Sequence, residues 1–309
     1  MRILVLGSAA GGGHPQWNCH TPSSLRVWQR APGMLPRTQT SIAVTVNERD
    51  WILINASPDF RQQILATPAL WPSQGLRHSP IKSVVITSGE IDHIAGLLSM
   101  RENQAFTLYS TPPILDVLSS NPIFDALDQG VVARTALALD VPLQLHGVTV
   151  TPFSVPGKVP LFLEGQFADH LEGTAEHTLG LCIADRQHRC FFIPGCAYFT
   201  SELQQRLQDA DILFFDGTLW RDDELIGLGV SAKTGARMGH MSIDGPDGTL
   251  KLLSDLRIPK KYFLHVNTTN PILNAHSAER AKIQSCGWDV AYDGLEISLK
   301  VTPCIPVMN

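Results

Sequence analysis

Three predicted strands of the chain end at residue types that bind metals in proteins. The strand VVIT leads to Asp92 and His93, DILFF leads directly to Asp216, and KYFL leads directly to His265. A rigid sheet fixes the side chains at its strand ends, while the following loops leave them open to a ligand. Two carboxylates and two imidazoles would neutralise a divalent ion of borderline hardness. The sequence therefore predicts one metal site, with His240 of the loop MGHMS as a further candidate.

Taken one at a time, these residues have ordinary structural explanations. Asp92 with His93 at the start of a helix is commonly an N-cap with a polar neighbour. Asp216 followed by Gly217 is an ordinary turn, and a histidine at a strand end often serves only as a hydrogen-bonding group. Their coincidence at the ends of three buried strands favours a metal site over three separate explanations.

The strand and helix patterns fall into two halves of the chain. The first half contains predicted strands at 1–8, 41–46, 51–55 and 83–87 and helices at 58–66 and 93–101. The second half contains predicted strands at 190–193, 211–215, 261–265 and 295–301 and helices at 201–208 and 277–286. This pattern predicts an α/β (α+β) fold in a single domain, 1–309, with two sheets face to face and helices outside.

A doubly wound parallel sheet is the competing architecture. The hairpin-like stretch 38–55 argues against it, because parallel strands need long crossover connections. The Pro- and Gly-rich segment 156–180 is predicted to be a long loop over a site or a partner.

Composition excludes several function classes. The chain has 309 residues, 44% hydrophobic and 17% charged, which is typical of a globular protein. A net charge of -5 gives no basic footprint for nucleic acid. No apolar run approaches the ~20 residues of a membrane span, and the start is too short for a signal-peptide core. The six cysteines form no C-x-x-C pair, and the expected location is the cytoplasm.

Beyond these residues, longer motifs carry a family resemblance. TSGEIDH has the frame of the metallo-β-lactamase motif T-H-x-H-x-D-H, with Ser88 and Glu90 in place of its two leading histidines. The segments LGSAAGGGHPQWNC, LINASPDFRQQI, IDHIAGLLSMRE, FDGTLWRDDE, TGARMGHM and HVNTTNPIL together resemble the coenzyme PQQ (pyrroloquinoline quinone) synthesis protein B family. The motifs run from Gly7 to Leu273 and so cover nearly the whole chain.

The resemblance implies a metallo-β-lactamase-like αββα sandwich and explains the partial motif. In dinuclear hydrolases of this fold three histidines hold the first metal, and the third falls near Cys196 here. The resemblance thus implies that this chain lacks the ligands of the first metal. The ligands of the second metal correspond to four residues that this chain keeps, namely Asp92, His93, Asp216 and His265.

The resemblance also implies an activity. A single metal with two histidines and two carboxylates is similar to the sites of non-haem iron oxygenases. The expected role is O₂-dependent hydroxylation of the tyrosine ring in a peptide-derived Glu–Tyr precursor of PQQ, with iron(II) as the metal and zinc or manganese as alternatives. His240 would orient the phenol or move its proton. Asn267 and Asn270 would hold the loop of His265.

One departure from the family concerns zinc. The family often shows W-N-C-x-C-x-x-C, a cysteine spacing that suits structural zinc. Here WNCHTPSS keeps Cys19 but has Thr21 and Ser24 at the other two positions, so we predict no structural zinc there.

Two other functions compete with the oxygenase. One is a non-catalytic carrier that helps to move PQQ or its precursor to the periplasm, and the weaker one is metal-dependent hydrolysis. The sequence leaves open a homodimer, contacts with other pathway proteins and the identity of the substrate-binding residues, for which Arg37 and Lys233 are candidates by charge alone.

Overall fold

A computed structural model of the protein describes residues 1–166 and 174–299. Its strands are β1 Arg2–Gly7, β2 Ser41–Thr45, β3 Trp51–Ile54, β4 Ile81–Val85, β5 Phe106–Ser110, β6 Val132–Ala136, β7 Leu143–Leu145, β8 Val148–Ser154, β9 Leu179–Ala184, β10 Arg189–Ile193, β11 Ile212–Asp216, β12 Lys260–Leu264, β13 Trp288–Val290 and β14 Glu296–Ser298. Its α-helices are α1 Pro22–Trp28, α2 Phe60–Ala66, α3 Ile91–Ile94, α4 Pro112–Ser119, α5 Ser201–Arg206, α6 Glu224–Gly227, α7 Gly235–Met238, α8 Thr249–Leu252 and α9 Ala278–Ser285. Short 3₁₀ turns include Ala95–Met100 and Leu161–Leu163.

The strands of the described residues form two mixed sheets of seven strands each. The first has the order β14-β1-β2-β3-β4-β5-β6 and the second β13-β12-β11-β10-β9-β8-β7. In each sheet the strands are antiparallel at one side and parallel at the other, with β3 to β6 and β10 to β13 as the parallel runs. The two halves predicted from the sequence correspond to the two sheets except at the final strand, β14, which pairs with β1 and so joins the first sheet.

Alternating side chains place three apolar layers around the two sheets. In β11, Ile212 and Phe214 belong to the cluster between the sheets, whereas Leu213 and Phe215 belong to the cluster beneath the outer helices of the second sheet. Successive residues of a strand face opposite sides, so a strand covered on both faces is apolar throughout. A third cluster lies outside the first sheet against its helices. This is the four-layer αββα arrangement, and the predicted sandwich is confirmed.

The predicted helix 93–101 is wrong in its form. The structure has the short helix α3 and then the 3₁₀ turn Ala95–Met100. Two backbone bonds explain the break, because the Ala56 amide donates to His93 O and the Gly96 amide donates to Ala56 O, both at 2.8 Å. A Cβ on Gly96 would lie 2.1 Å from Ser57 O, so only glycine permits this close approach.

Other predicted elements agree with the structure to within a few residues. The final strand, predicted at 295–301, is observed at Glu296–Ser298, and residues 300 and 301 lie outside the described ranges. Across the helices within 1–166 and 174–299, we find none with both the length and the apolar character to span a bilayer.

Candidate metal centre

The carboxyl ends of β4, β11 and β12 meet at one edge of the sandwich. Asp216 is the last residue of β11 and pairs in parallel register with Leu264 of β12, so His265 follows one residue further along. The loop after β4, in the other sheet, carries Asp92 and His93 on α3. The Val266 amide donates to Ser8 O, which ties the end of β12 to the end of β1 across the two sheets.

The first group of possible ligands consists of Asp92, His93 and His265. One ligand atom from each of these buried residues lies within 4.8 Å of the other two. The Nε2 atom of His265 is 3.0 Å from Asp92 Oδ2, and Nε2 of His93 is 3.8 Å from the same oxygen. We call this group the first triad.

His93 presents one ring nitrogen that has no hydrogen-bond partner. Its Nδ1 lies 2.7 Å from Ser88 Oγ, which fixes the orientation of the ring. Its Nε2 is buried and makes no hydrogen bond. Since a buried polar atom without a partner is unfavourable and rare, this nitrogen is well placed to bind a metal ion.

The second triad consists of Asp216, His240 and His265, again with ligand atoms within 4.8 Å of one another. His240 Nδ1 is 2.8 Å from Asp216 Oδ2. The rings of His240 and His265 are stacked, with centroids 5.2 Å apart. His265 thus belongs to both triads, and His240 lies beside the predicted ligands.

Thr218 connects the members of the second triad. Its Oγ1 lies 2.7 Å from Asp216 Oδ1, 3.1 Å from His240 Nδ1 and 2.9 Å from His265 Nδ1. The Thr218 amide donates to Asp216 Oδ1, and the Cys196 amide donates to Asp216 Oδ2. Asp216 is therefore held by backbone donors from two loops before any ligand arrives.

His265 has a backbone conformation that is uncommon for a residue with a side chain. Its φ is 56°, in the left-handed region, where strain of about 1–3 kcal/mol is typical and is often found at functional sites. The amide of the next residue, Val266, bonds to Ser8 O and so helps to keep the loop in this shape.

The electrostatics of the centre favour a cation. Burial raises the pKa of Asp92, but attraction to His93, when that ring is protonated in acid, and the hydrogen bond to His265 outweigh burial and lower that pKa below its usual range. Burial also opposes ionisation of Asp216, yet the charge of His240 and its hydrogen bond hold the pKa of this carboxyl low. Burial lowers the pKa of His93 to about 4, so its ring is neutral at pH 7. Two ionised carboxylates and a neutral imidazole suit a divalent metal.

A cavity of about 250 Å³ opens above both triads. Apolar side chains and charged side chains share its wall, including Leu161, Leu179, Pro194, Met238, Glu90, Lys158, Glu164 and Lys233. The 3₁₀ turn Leu161–Leu163 comes from the predicted loop 156–180, so part of that loop lies against the candidate site.

The two predicted asparagines contact different parts of the loops. Asn270 is fully buried, and its Nδ2 donates to Gly217 O at 2.9 Å, which links the loop after β12 to the turn after Asp216. Asn267 lines the cavity, and its amide donates to Thr218 O.

Sequence reasoning missed two residues and misjudged one. Ser88 was seen only as a lost histidine, and Thr218 was not considered, although both hydroxyls orient imidazoles of the triads. The signals were the position of Ser88 in the loop that follows β4 and the Asp-Gly-Thr turn that follows β11. Arg37 is buried and donates to Ser8 Oγ, and it does not line the cavity, whereas Lys233 does. Cys19 Sγ lies near Thr21 Oγ1 and belongs to neither triad.

Comparison with known proteins supports the fold and the family. Residues 50–266 match the model of the beta-lactamase superfamily domain. The structure is similar to that of a diphosphatase from the PhnP family, with a TM-score of 0.68 and 20% identity over 96% of this chain and 97% of that one, which shows the fold.

Several relatives are much more similar. Coenzyme PQQ synthesis protein B of Xanthomonas campestris pv. campestris (strain B100) is 64% identical over 299 residues, 97% of this chain and 100% of the relative. The protein of that name from Gluconacetobacter diazotrophicus is 48% identical over 96% of this chain and 99% of its own length. The crystal structure of zinc-bound PqqB from Methylobacterium extorquens has a TM-score of 0.94 and 48% identity, over 97% of this chain and 100% of that one. The chain therefore belongs to the coenzyme PQQ synthesis protein B family, within the beta-lactamase superfamily.

Proposed function

We propose that this protein acts in PQQ biosynthesis as a mononuclear iron(II) hydroxylase of the tyrosine ring in a peptide-derived Glu–Tyr precursor. The observation that carries the proposal is the buried Nε2 of His93, which has no partner and faces the carboxylate of Asp92 beside His265. Family membership supports the pathway.

The donor types support one divalent metal, and in the structure the four donors lie in two triads that share His265. Asp92, His93, Asp216 and His265 would hold the metal, two carboxylates and two imidazoles that match the ligands of non-haem iron sites. Iron(II) bound there would supply the activation of O₂. The same donors accept zinc or manganese, and the related Methylobacterium extorquens protein has been crystallised with zinc.

The residues around the donors have separate tasks in this proposal. Ser88 and Thr218 orient His93 and His265 through their Nδ1 atoms, which leaves Nε2 of His93 for a ligand and points Nε2 of His265 at Asp92. Asp216 holds His240 at Nδ1, so Nε2 of His240 is the ring atom that can meet a substrate phenol and accept or return its proton.

The cavity suits a small aromatic acid. Leu161, Leu179, Pro194 and Met238 offer an apolar surface to a phenol ring. In the reaction a ring C–H becomes C–OH with one oxygen atom of O₂. The other atom becomes water, with two electrons from an external reductant and two protons.

A single-turnover experiment tests the proposal. The protein is loaded anaerobically with iron(II), mixed with a Glu–Tyr substrate and ascorbate, and exposed to ¹⁸O₂ before mass spectrometry. We expect the product to gain one ¹⁸O atom, to lose this gain in His265→Ala and to keep it in His276→Ala, where the replaced histidine is exposed and belongs neither to the triads nor to the cavity wall. Equal gain in His265→Ala would refute the assignment of the site.

A carrier is the second candidate. It is favoured by the basic side chains at the entrance of the cavity, Lys158 and Lys233, which can bind an acidic molecule without any chemistry. Tight binding of PQQ with no oxygen gain in the same experiment would support the carrier instead.

A further inference from the structure

Three cationic side chains surround one carboxylate at the entrance of the cavity. The Oε2 atom of Glu164 lies 2.9 Å from Arg237 Nη2 and 3.7 Å from Lys233 Nζ, and its Oε1 lies 3.3 Å from Lys158 Nζ. Glu164, Lys158 and Lys233 line the cavity, and Arg237 precedes Met238, which also lines it. Two of these cations therefore lie in the wall of the cavity that also contains Asp92, His93, His240 and His265, and the third lies next to that wall.

Glu164 reaches this position on a short segment that folds over the cavity. The segment 158–164, here called the strap, contains the turn Leu161–Leu163. Its first residue, Lys158, pairs with Glu90 Oε1 at 2.7 Å, and the Leu161 amide donates to Glu90 Oε2 at 3.3 Å. Val159 and Pro160 are buried and Leu163 packs against the apolar cluster outside the first sheet, so the strap is anchored by its apolar side chains while Glu164 at its end is held by ion pairs.

The charges of this group do not balance. Lys158, Lys233 and Arg237 give +3, and Glu90 and Glu164 give −2, which leaves +1. The hydrogen bond from Arg237 and the nearby lysines lower the pKa of Glu164 to about 2, so it is ionised at neutral pH. This local excess favours a further carboxylate beside Arg237 and Lys233, whereas Asp92, which lines the same cavity, repels one.

The hydrogen bonding of the Glu164 carboxylate is incomplete. Its Oε1 is buried and makes no well-directed hydrogen bond, although Lys158 lies near. The side chains of Arg237 and Lys233 are each 40% exposed, so an incoming molecule can reach them. A guanidinium is suited to binding a carboxylate through two parallel hydrogen bonds.

Two of the three cations lie close to His240 along the chain. Lys233 precedes helix α7, Arg237 lies on it, and the helix is followed by Gly239, whose φ of +82° only glycine adopts readily. A Cβ on Gly239 would also lie 3.1 Å from Lys158 Cγ. Arg237 therefore lies close along the chain to His240, whose ring is proposed to meet the phenol.

We propose that Arg237, Lys233 and Lys158 form the recognition site of a small carboxylate-bearing aromatic molecule. In the free protein the carboxylate of Glu164 occupies the position that the substrate carboxylate takes. The carboxylate of that molecule takes the place of Glu164, and the end of the strap moves aside. The proposal relies on the proposed function for the identity of the substrate, but binding itself needs no turnover.

Calorimetric titration with two dipeptides tests this proposal. Glu–Tyr carries two carboxylates and Gln–Tyr amide carries none, and each is titrated into the protein with and without added zinc. For the wild-type protein we expect Glu–Tyr to bind at least about fivefold more tightly than the amide. Arg237→Gln and Lys233→Gln should each remove most of this preference, while the control Arg189→Gln, at a remote ion pair with Asp209, should keep it.

The decisive variant is Glu164→Gln. Removing the internal competitor should tighten Glu–Tyr binding about threefold or more, since the free site becomes more populated, and Glu202→Gln on α5 should change nothing. A purely structural Glu164 predicts the opposite, namely weaker or unchanged binding, and that result overturns the proposal. If Glu164→Gln does not fold, the partly exposed Lys233→Gln decides, and an unchanged preference there also overturns it. Tighter binding without oxygen gain would leave this inference standing and reject the hydroxylase.

Discussion

The two triads share His265 but differ in how their other members are held. In the second triad Asp216 accepts hydrogen bonds from the amides of Cys196 and Thr218, and its carboxylate also holds His240. In the first triad Nε2 of His93 has no hydrogen bond at all. One side of the centre is therefore already satisfied by the protein, and the other side is left for a ligand. We infer that the second triad is a rigid support. A bound metal would stabilise the first triad more, because it would give Nε2 of His93 a partner.

The largest effect is expected at the shared residue. His265→Ala removes a donor from both triads at once, so we expect metal affinity to fall by more than roughly 100-fold, beyond what loss of an orienting group causes. Metal titration by calorimetry or competition with a chelator measures it. His276→Ala, at an exposed histidine, is the control. Near-normal affinity in His265→Ala would show that the triads do not act as one centre.

The two carboxylates should respond differently to the same substitution. Asp92→Asn removes a charge from the open side, and we expect metal affinity to fall roughly 100-fold with a smaller loss of stability in the metal-free protein than at Asp216, because the Asp92 carboxylate bonds to a histidine and not to the amides of two other loops. Asp216→Asn puts an NH₂ group against backbone donors in a buried position, so it should also lower the free energy of unfolding by about 1–3 kcal/mol. Urea denaturation measures the stability of both variants, and metal titration measures their affinities. Equal loss of stability in the two variants would contradict the proposed difference between the triads.

The sequence predicted the parts of the site that depend on strand ends. Parallel strands bring their carboxyl ends to one edge, so the meeting of Asp216 with His265 follows from the apolar runs before them. The approach of Asp92 and His93 from the other sheet follows only from the sandwich, which the family resemblance implied.

The rest of the centre depends on contacts that no local pattern encodes. Thr218 Oγ1 meets His265 Nδ1 across 47 positions of the chain. Glu164 meets Arg237 across 73 positions, from a segment whose sequence predicts only a loop. Such pairs depend on where two loops come to lie after both sheets have packed. The prediction of a helix at 93–101 was wrong for the same reason. The backbone of Ala56, in a loop of the first sheet, bonds to His93 O and to the Gly96 amide, which a continuous helix would need.

The pH dependence of stability should separate His93 from His265. In the metal-free protein burial lowers the pKa of His93 from 6.5 to about 4, so the unfolded chain takes up the proton first. Stability therefore falls as pH drops from about 6.5 to 4, by no more than roughly 3 kcal/mol for this group. Burial opposes charging of His265, but Asp92 raises its pKa, so its contribution is complete below pH 6.5 and fades only at higher pH.

Urea denaturation between pH 4 and 7 measures this slope in wild type and in His93→Gln. The variant should lose part of the slope but not all, since burial also lowers the pKa of His14 to about 4, in both proteins. The carboxylates of Asp92 and Asp216 have lowered pKa values, so their contributions are lost only below the ordinary value of 3.8. An identical slope in the two proteins would mean that His93 is not held neutral by burial.

The smallest effect tests how the open side of the centre is prepared. Ser88→Ala removes the hydroxyl that lies 2.7 Å from His93 Nδ1, so the ring loses its fixed orientation while every proposed ligand remains. We expect metal affinity to fall roughly tenfold, the lower end of what loss of an orienting partner causes. Ser119→Ala, at an exposed hydroxyl at the end of α4, is the matched control. A hydroxyl restored by Ser88→Thr should recover part of the affinity if orientation is the cause. If Ser88→Ala binds metal as tightly as wild type, the unpartnered nitrogen of His93 is positioned by packing alone, and the contrast between the two triads rests on Asp216.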